Sequence, residues 1–448
     1  MKLKSFYGKN VRGYIPYRIN FRDQLTFLIG INGSGKTTAL KLISGLLTPS
    51  FYELSTIDYE EIKLVCEMDD GKPVTISATQ KENKIKLVIL IDKESVSGTF
   101  SYYNNSEISF SEQNNDQLIF EFDHSKVVNR IRKLEHPVIL GINRRITVND
   151  YFHDSSNREL NRRFHFHSRN YTAENVDEAL LEIQNMLYSK MREISTMQEI
   201  WAEQFRRDVL KESLKIADIN NTNFEKYQNY SEQLEKLDER EANLDNIIEE
   251  LGIEKLKITF EDFFKRVRTI LSVLSEKDEK NPDFTKNLMM WILNYWQLEK
   301  IDNITNLGIK YREKITKAKE PITNLLNNLN KFFNEGNKEV TTDRRGELII
   351  SIKNSQNNKR NKIYEISSGE KQLIIMLGHL ALCSENNKKP IFIIDEPELS
   401  LHISWQELFV DALLNANKNA QFILATHAPS IIANNNWEKN CEDISEFK

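Results

Sequence analysis

Apolar and polar positions follow different periods in different parts of the chain. Short runs of β-branched and aromatic residues, typical of strands, occur within residues 1–140 and again within 347–426. Between them, from about residue 173 to 334, apolar residues recur at helical spacing. The pattern therefore predicts an α/β fold in which a helical insertion separates two β-rich parts.

The first β-rich part begins with an alternating segment at 14–21 and a fully apolar run at Leu25–Ile29, which predicts a buried strand. Between residues 57 and 122, runs of β-formers alternate with turn-forming residues and predict an antiparallel β lobe. The predicted strands of this lobe are residues 62–65, 74–76, 85–90 and 118–120, and the predicted turns are 69–72 and 114–116. Further apolar strands are predicted at Val138–Leu140, 347–352, 390–394 and 421–426.

The central helical block contains two proline-led breaks, before Pro282 and before Pro321. Six apolar residues follow a four-three spacing with Glu241 at one seam position, which predicts either a short antiparallel hairpin or an oligomer contact. These residues are Tyr230, Leu234, Leu237, Leu244, Ile248 and Leu251. Trp291, Tyr295 and Trp296 share one helical face, and we expect them to pack against a neighbouring helix.

A glycine-rich loop follows the strand at Leu25–Ile29 and fits the pattern G-x-x-x-x-G-K-[ST] at every fixed position. Glycines let the backbone N–H groups point at phosphate oxygens, Lys36 can reach the β- and γ-phosphates, and Thr37 offers a hydroxyl to Mg²⁺. A plain glycine-rich turn is the alternative, but the order of strand, glycines, Lys-Thr and helix favours a triphosphate such as ATP. The predicted nucleotide-binding residues are Gly30, Asn32, Gly33, Ser34, Gly35, Lys36, Thr37 and Thr38.

A second candidate motif opens the predicted helix at 373–382. Ser367 and Gly369 form a turn before it, and Glu370 follows. This arrangement places free N–H groups and a hydroxyl where a phosphate can bind, but it also fits a simple helix cap with a capping glutamate.

Acidic residues end the predicted strand at 390–394. Asp395 lies where the carboxyl end of a parallel strand meets a phosphate loop, and we expect it to hold Mg²⁺ together with Thr37. Glu396 can orient the water that attacks the γ-phosphate. His427 follows the next strand and can donate to the γ-phosphate, although a lone histidine is more often structural. The predicted catalytic residues are Glu396, Lys36 and His427.

Composition changes this picture little. The 448 residues carry a formal net charge of −5, with 40% hydrophobic and 28% charged residues, which is ordinary for a globular protein with a sizeable core. The cysteines Cys66, Cys383 and Cys441 lie far apart, which suggests a reducing compartment and no zinc site. Since no stretch has the length of a membrane span and the N-terminus lacks a signal-peptide core, we expect a cytoplasmic protein without membrane contact.

One segment, residues 125–170, is locally basic. It contains ten Lys or Arg residues against four Asp or Glu residues, with interleaved aromatic residues. Such a strip can follow a nucleic-acid backbone, so DNA is a candidate partner here. We favour a solvated loop or a protein-binding surface, because charge runs are usually plain surface.

Four segments, GINGSGKTT, SSGEKQ, IIDEPELSLH and ATHAP, together resemble the motif set of ABC-type ATPases. More narrowly, they resemble the branch that contains SMC proteins, RecF and the OLD-family ATPases, with AAA_15- and AAA_21-like domains. The resemblance covers about residues 1–150 and 335–435 but not the helical middle. The ELSLH sequence at 398–402 is especially similar to OLD-type and defence ATPases. The signature ISSGE in place of LSGGQ argues against a transporter.

The resemblance implies an ABC-type (P-loop) nucleotide-binding domain with an antiparallel β lobe, split by a helical insertion with a short coiled-coil hairpin. Its expected parts are 1–170, the insertion 171–335, and 336–448. It also implies a head-to-tail homodimer that sandwiches two ATP molecules with Mg²⁺. Ser367 and Gly369 would then contact the γ-phosphate bound to the partner's Lys36, and Ser400 would lie in a loop between the two sites. We assign the glutamine-loop position to Asn143 or Arg144.

The sequence ends 21 positions after His427, where OLD nucleases continue into a Toprim domain. We therefore expect any nuclease to be a separate polypeptide. The leading hypothesis is an ATPase subunit of a bacterial anti-phage system, similar to the PARIS and Septu ATPases. It would respond to a phage-derived trigger, form a higher homo-oligomer and control a nuclease effector of the Toprim or HNH type.

Two other functions fit the same motifs. One is a RecF-like DNA-binding ATPase in DNA repair, which the basic segment supports. The other is a nucleotide-locked scaffold that turns over ATP very slowly. Stimulation of ATP turnover by DNA would favour the first, and turnover unchanged by Glu396→Gln would favour the second.

Overall fold

The structure is a computed structural model of the chain. It describes residues 1–102, 112–134, 138–140, 146–147, 174–215, 229–251, 257–276, 282–353, 360–361, 363–382, 390–399, 401–432 and 437–445. The chain divides into two compact units, one of Met1–Lys190 with Pro321–Lys448 and one of Met191–Glu320. The domain limits expected from the sequence, at 170/171 and 335/336, stay predictions.

The described elements alternate between β-rich and helical stretches along the chain. The strands are β1 (Lys2–Val11), β2 (Ile15–Asn20), β3 (Leu25–Ile29), β4 (Glu61–Glu67), β5 (Pro73–Lys81), β6 (Lys84–Ile91), β7 (Glu94–Ser101), β8 (Val138–Leu140), β9 (Ile146–Thr147), β10 (Lys338–Thr342), β11 (Leu348–Ile352), β12 (Arg360–Asn361), β13 (Ile391–Asp395), β14 (Gln421–Ala425) and β15 (Cys441–Asp443). The helices are α1 (Lys36–Leu47), α2 (Phe51–Thr56), α3 (Glu112–Asp123), α4 (Lys126–Ile131), α5 (Glu174–Ser213), α6 (Tyr230–Leu251), α7 (Lys257–Ser275), α8 (Pro282–Phe333), α9 (Ser368–Leu382), α10 (Ile403–Ala416) and α11 (Pro429–Ile432).

A six-stranded sheet in the order β15-β3-β14-β13-β8-β9 forms the centre of the first unit. Its strands run parallel except for β9, which pairs with β8 antiparallel. Every residue of β13 and β14 is buried, as expected for parallel strands covered on both faces. The apolar runs predicted as strands at Leu25–Ile29, Val138–Leu140, 390–394 and 421–426 are confirmed, and they are the strands that carry the candidate motifs.

A second six-stranded sheet, β2-β1-β4-β5-β6-β7, is antiparallel throughout and forms the predicted β lobe. Buried and exposed residues alternate along its strands, as in β2. Its inner face packs on α1, and α1 also contacts β13 and β14 of the parallel sheet. Because α1 lies between two sheets, it is buried almost all round, and this fixes the loop that precedes it.

The predicted strand at residues 118–120 and the predicted turn at 114–116 are wrong, because both lie in α3. A short apolar run does not by itself distinguish a strand from a helix. Phe122 is fully buried, with its ring centroid 5.4 Å from that of Phe51 and 4.8 Å from that of Phe100. Phe120 is 61% exposed. Packing of one helical face around Phe122 therefore decides the structure of this segment.

The second unit contains a helical hairpin of α6 and α7. Lys257 at the start of α7 pairs with Asp245 at 3.5 Å, whereas Arg268 further along α7 pairs with Asp238 at 2.6 Å, so the helices run antiparallel. Arg268 also donates to Glu241, the polar residue of the predicted heptad seam, at 2.9 Å. The predicted short antiparallel hairpin is thus confirmed, and the oligomer contact stays a prediction. The buried seam residues of α6 are Leu237, Leu244 and Ile248.

The long helix α8 contributes to the same hydrophobic cluster. Trp291 and Tyr295 are buried in it and Trp296 packs against it, which confirms the prediction for these aromatic residues. The helix begins at Pro282, where a fixed φ suits a first turn, as predicted. The predicted break before Pro321 is wrong: α8 continues through this proline to Phe333. The buried residues beyond it that support the last turns are Ile322, Leu325, Leu329, Phe332 and Phe333.

Within the described ranges, no helix combines the length and apolarity that crossing a lipid bilayer requires.

The buried side chain of Gln421, in β14, forms hydrogen bonds with the backbone of β1 in the other large sheet. Its Oε1 accepts a hydrogen bond from Leu3 N at 2.7 Å, and its Nε2 donates to the carbonyls of Leu3 and Arg22, both at 2.8 Å. Gln421 is 1% exposed. Three backbone groups therefore depend on this one amide.

We expect Gln421→Ala to lower the free energy of unfolding of the first unit by about 2–4 kcal/mol, because it leaves buried backbone groups without partners. Thermal and urea unfolding measure this change. Gln24→Ala is the matched control, since Gln24 is exposed and its side chain donates to Lys418 O at 3.4 Å. Equal stability of the two variants would contradict the prediction.

Candidate nucleotide-binding site

The loop between β3 and α1 has the backbone of a phosphate cradle. Gly33 has a φ of 87°, in the left-handed region that favours glycine, and a Cβ there would meet nothing within 4 Å. Gly35 has a φ of 94° and caps α1, and its carbonyl accepts a hydrogen bond from the Tyr17 hydroxyl at 2.9 Å. Asn32 and Gly33 are exposed. The loop is thus anchored at Gly35 and open beside Gly33, as a site for phosphate oxygens requires.

Two polar side chains of the loop, those of Lys36 and Ser34, are buried inside it. The Lys36 Nζ donates to the carbonyls of Gly30 and Ile31 at 2.6 and 3.2 Å, so its ammonium lies over the loop although the residue is only 6% exposed. The buried Ser34 Oγ has no hydrogen-bond partner among the residues described. Thr38 is buried and Thr37 is half-buried at the start of α1. A bound anion would satisfy groups that the protein alone leaves unsatisfied or self-paired.

Asp395 lies beside this loop because of the strand register. Leu28, Ala425 and Asp395 are neighbours across β3, β14 and β13, so these strands end in one row. Burial raises the pKa of Asp395 to about 6; a hydrogen bond from Thr37 opposes this shift, the nearby charges of Glu396 and Glu398 add to it, and that of Lys36 opposes it. Its Oδ1 is buried and lacks a partner in the described part of the chain. A carboxylate oxygen and a threonine hydroxyl form a donor set that suits Mg²⁺.

Asp395 makes the free energy of unfolding of the nucleotide-free protein depend on pH. Its pKa of about 6 in the folded state lies above its usual value of 3.8, so the folded state binds the proton more tightly than the unfolded chain. Stability is then lost as the pH rises from about 4 to about 6, and it stays low above that range.

We expect Asp395→Asn to be more stable than the wild type at pH 7.5 by up to about 2 kcal/mol, with the difference vanishing below about pH 4. Urea unfolding in EDTA at several pH values measures this difference. Asp23→Asn is the control, since Asp23 is exposed and a hydrogen bond from Lys4 lowers its pKa. A destabilised Asp395→Asn at pH 7.5 would contradict the prediction.

Glu396, which follows Asp395, has a positive φ angle. Its φ is 46°, a left-handed conformation that a residue other than glycine adopts only where its surroundings hold it. Its N–H donates to Ala425 O at 2.8 Å, which extends the pairing of β13 with β14 by one residue. The Glu396 side chain is half-buried at the edge of the sheet that carries the phosphate loop. This position suits a group that must reach substrate and water together.

His427 lies close to the same edge, two residues after the end of β14, and contacts Glu398. The Glu398 Oε1 is 3.0 Å from both the backbone N and the Nδ1 of His427. The His427 side chain is 42% exposed, whereas that of Glu398 is 5% exposed. The structure thus brings the loop, Asp395, Glu396 and His427 to one edge of one sheet.

The second candidate motif forms a capping box at the start of α9. The N–H and hydroxyl of Ser367 donate to Glu370 Oε2 at 2.8 and 3.0 Å, and Glu370 N donates to Ser367 Oγ at 3.3 Å. Lys338 of β10 donates to both Glu370 oxygens at 2.7 and 3.0 Å. Burial favours a raised pKa for Glu370, but these hydrogen bonds outweigh it and hold the pKa below its usual value.

The predicted signature residues differ in their exposure to solvent. Ser367 is exposed, whereas Gly369 and Glu370 are buried. Glu370 therefore orders the turn from inside, and Ser367 is the member of the motif that a ligand can reach. The half-buried Lys338 supplies the charge partner that the buried Glu370 requires.

Several residues that the sequence did not single out contribute to the site. Tyr17, Lys338 and Glu398 hold the phosphate loop, the capping box and His427 through the contacts given above. Their signal in the sequence was only a polar residue beside a motif or within a strand. The predictions for Ser400, Asn143, Arg144 and most of the basic segment 125–170 lie outside the described residues. Within that segment, Arg132 is described and pairs with Asp123 at 2.6 Å.

Two curated relatives match parts of the chain. "Retron Vc95 probable ATPase" of Vibrio cholerae serotype O1 biovar El Tor is 27% identical over 210 residues, which is 38% of this chain and 41% of that protein. "Retron Ec83 probable ATPase" of Escherichia coli is 34% identical over 85 residues, 17% of this chain and 16% of that protein. The chain thus spans about two-fifths and one-sixth of the lengths of these relatives.

Solved structures of SMC head domains are also similar at low identity. The Smc head domain with an extended coiled coil bound to the C-terminal domain of ScpA, from Pyrococcus furiosus, has 14% identity and a TM-score of 0.37. It covers 97% of this chain and 91% of that one. The SMC head domain from Thermotoga maritima has 14% identity and a TM-score of 0.33, and covers 97% of this chain and 92% of that one.

A protein-family model matches nearly the whole chain. The AAA_15 model, described as an AAA ATPase domain, matches residues 1–432 and therefore includes the helical insertion. This match confirms the prediction of an ATPase with an AAA_15-like domain. The chain belongs to the AAA_15 family of AAA ATPase domains.

Proposed function

We propose that the protein hydrolyses ATP and, as the ATPase subunit of a bacterial anti-phage system, controls a separately encoded nuclease. The observation that carries the ATPase proposal is the single row of Leu28, Ala425 and Asp395 across three adjacent strands. This row brings together the phosphate loop, the acidic pair and His427. Family membership supports the same reaction class.

Each group at this edge has a proposed role in hydrolysis. The loop N–H groups, Ser34 and Lys36 bind the phosphates. Thr37 and Asp395 would hold Mg²⁺, which when bound neutralises charge on the β- and γ-phosphates. Glu396 orients a water and takes its proton as the water oxygen attacks the γ-phosphorus. The bond to the bridging oxygen breaks, so that the products are ADP and phosphate.

We propose that hydrolysis requires two copies of the chain. The exposed Ser367 at the start of a helix would contact the γ-phosphate held by a second copy, head to tail. Size-exclusion chromatography with light scattering tests this pairing in Glu396→Gln with and without MgATP. A monomer under both conditions would contradict the composite site.

The defence role rests on similarity to proteins named as retron ATPases and on the OLD-like DEPELSLH sequence at 395–402. Its test is to express the chain with the product of its neighbouring gene and purify it through a tag. We expect a Toprim- or HNH-type nuclease in the complex and a lower plaque count on phage challenge. Both should be lost in Lys36→Ala.

A DNA-repair role makes a different prediction from the same preparation. If the protein were a RecF-like DNA-binding ATPase, duplex DNA would stimulate ATP turnover, and Arg158, Arg162 and Arg163 would be required for this effect. We expect turnover that does not respond to DNA, in a stable complex with a partner protein. DNA-stimulated turnover without any partner would contradict the defence proposal.

A further inference from the structure

The contact between Glu398 and His427 has a geometry that the proposed reaction does not require by itself. One oxygen, Glu398 Oε1, lies 3.0 Å from two donors of the same residue, the backbone N and the ring Nδ1 of His427. A carboxylate that accepts from both groups fixes the backbone and the ring together. The histidine is thereby held at two points, one at each end of its χ1 and χ2 rotations.

This contact determines which ring nitrogen is available. An ionised carboxylate only accepts hydrogen bonds, so Nδ1 must carry the proton that faces Glu398. Nε2 is then the nitrogen left for another partner, on a side chain that is 42% exposed. A histidine at a metal site is oriented in the same way, by the group that its other nitrogen contacts.

The burial of the Glu398 carboxylate is energetically unfavourable. Its side chain is 5% exposed, and its Oε2 is buried without a partner in the described ranges. It also lies near enough to Asp395 for their charges to interact. A buried carboxylate beside other acids destabilises the folded protein unless hydrogen bonds offset the cost, and the contacts of Glu398 Oε1 with His427 are such bonds.

We propose that Glu398 is a positioning residue for His427, holding the imidazole so that Nε2 is the nitrogen that meets the terminal phosphate. The inference rests on the proposed ATPase function. Glu398 acts through His427 and does not itself touch the substrate. Of the three acids in the DEPE sequence at 395–398, Asp395 would then bind the metal, Glu396 would orient the water and Glu398 would position the histidine.

The test measures kcat and KM for MgATP in Glu398→Ala, His427→Ala and the double variant. We expect each single variant to lower kcat by at least about tenfold with KM within about twofold, and the double variant to lose no more than His427→Ala alone. Glu398→Gln keeps an oxygen acceptor and should recover most of the activity. The Mg²⁺ concentration for half-maximal activity should stay unchanged in Glu398→Ala.

Other outcomes overturn the inference. A further tenfold loss on adding Glu398→Ala to His427→Ala, or a shifted Mg²⁺ requirement, would mean that Glu398 acts through Asp395. In ¹⁵N-histidine-labelled protein, the His427 ring should report the Nδ1–H tautomer in the wild type and a tautomer mixture in Glu398→Ala. An unchanged tautomer would also overturn it. If Lys36→Ala and Glu396→Gln retain full turnover, the ATPase proposal itself fails, which is a separate result.

Discussion

Glu396→Gln is expected to reduce ATP turnover by about 10²–10³-fold while nucleotide binding persists. Glutamine has nearly the same shape but cannot take the proton of the attacking water. The left-handed backbone at Glu396 and its hydrogen bond to Ala425 O do not involve the side chain, so the substitution leaves the strand ends in place. Phosphate release measures the loss, and equilibrium binding of a fluorescent ATP analogue measures retention.

Two comparisons make this result specific. Glu438→Gln is a matched control, because Glu438 is exposed and lies outside the motifs. We expect its turnover to equal that of the wild type. Wild-type turnover in Glu396→Gln would show that Glu396 does not position the water, and a slow nucleotide-locked scaffold would then explain the family motifs better.

Gly35→Ala is expected to weaken ATP binding by well over tenfold. A Cβ at this position would lie inside van der Waals contact of the Tyr17 hydroxyl and 3.2 Å from Ile15 Cδ1, on a backbone with a φ of 94°. Tyr17 cannot move away easily, because it is 1% exposed in the core beneath the loop. The loop must shift instead, and its N–H groups lose their arrangement around the phosphates. Isothermal titration with MgATP measures the loss.

The clash and the backbone strain can be separated experimentally. Gly71 has a φ of 81° in a turn of the β lobe, and a Cβ there meets nothing within 4 Å, so Gly71→Ala controls for a Gly→Ala change at a left-handed position outside the loop. We expect it to leave ATP binding unchanged. Tyr17→Phe removes the hydroxyl that a Cβ at Gly35 would meet, so adding it to Gly35→Ala should restore part of the binding. Equal binding of Gly35→Ala with and without Tyr17→Phe would contradict the proposed clash.

The sequence predicted the strands of the parallel sheet best, because their physical signal is strong. β3, β13 and β14 are buried on both faces, so each reads as a continuous apolar run followed directly by polar chemistry. β1 was not predicted, since buried residues alternate irregularly along it and its pairing with β4 shifts register between Leu3 and Ser5. The strand prediction for residues 118–120 was wrong for a related reason, because a run of three apolar residues is too short to show a helical or a strand period.

The site was predictable in its motifs but not in its supporting contacts. The phosphate loop and the acidic pair follow from local patterns, whereas the contact of Glu398 with His427 depends on which strand lies beside which. Strand order is a property of the whole sheet, and no local pattern encodes that β14 lies between β3 and β13. The contacts of Tyr17 with Gly35 and of Lys338 with Glu370 likewise join separate elements.

The neighbours of β3 have a consequence for synthesis of the protein. This strand ends at Ile29, yet its two partners in the sheet lie about 400 residues later in the chain: β14, which begins at Gln421, and β15, which begins at Cys441. While the ribosome translates the intervening codons, both hydrogen-bonding edges of an apolar strand lack their final partners. We therefore expect the site to be complete only after β13 and β14 have emerged, and until then β3 is an apolar segment that chaperones would need to shield from aggregation.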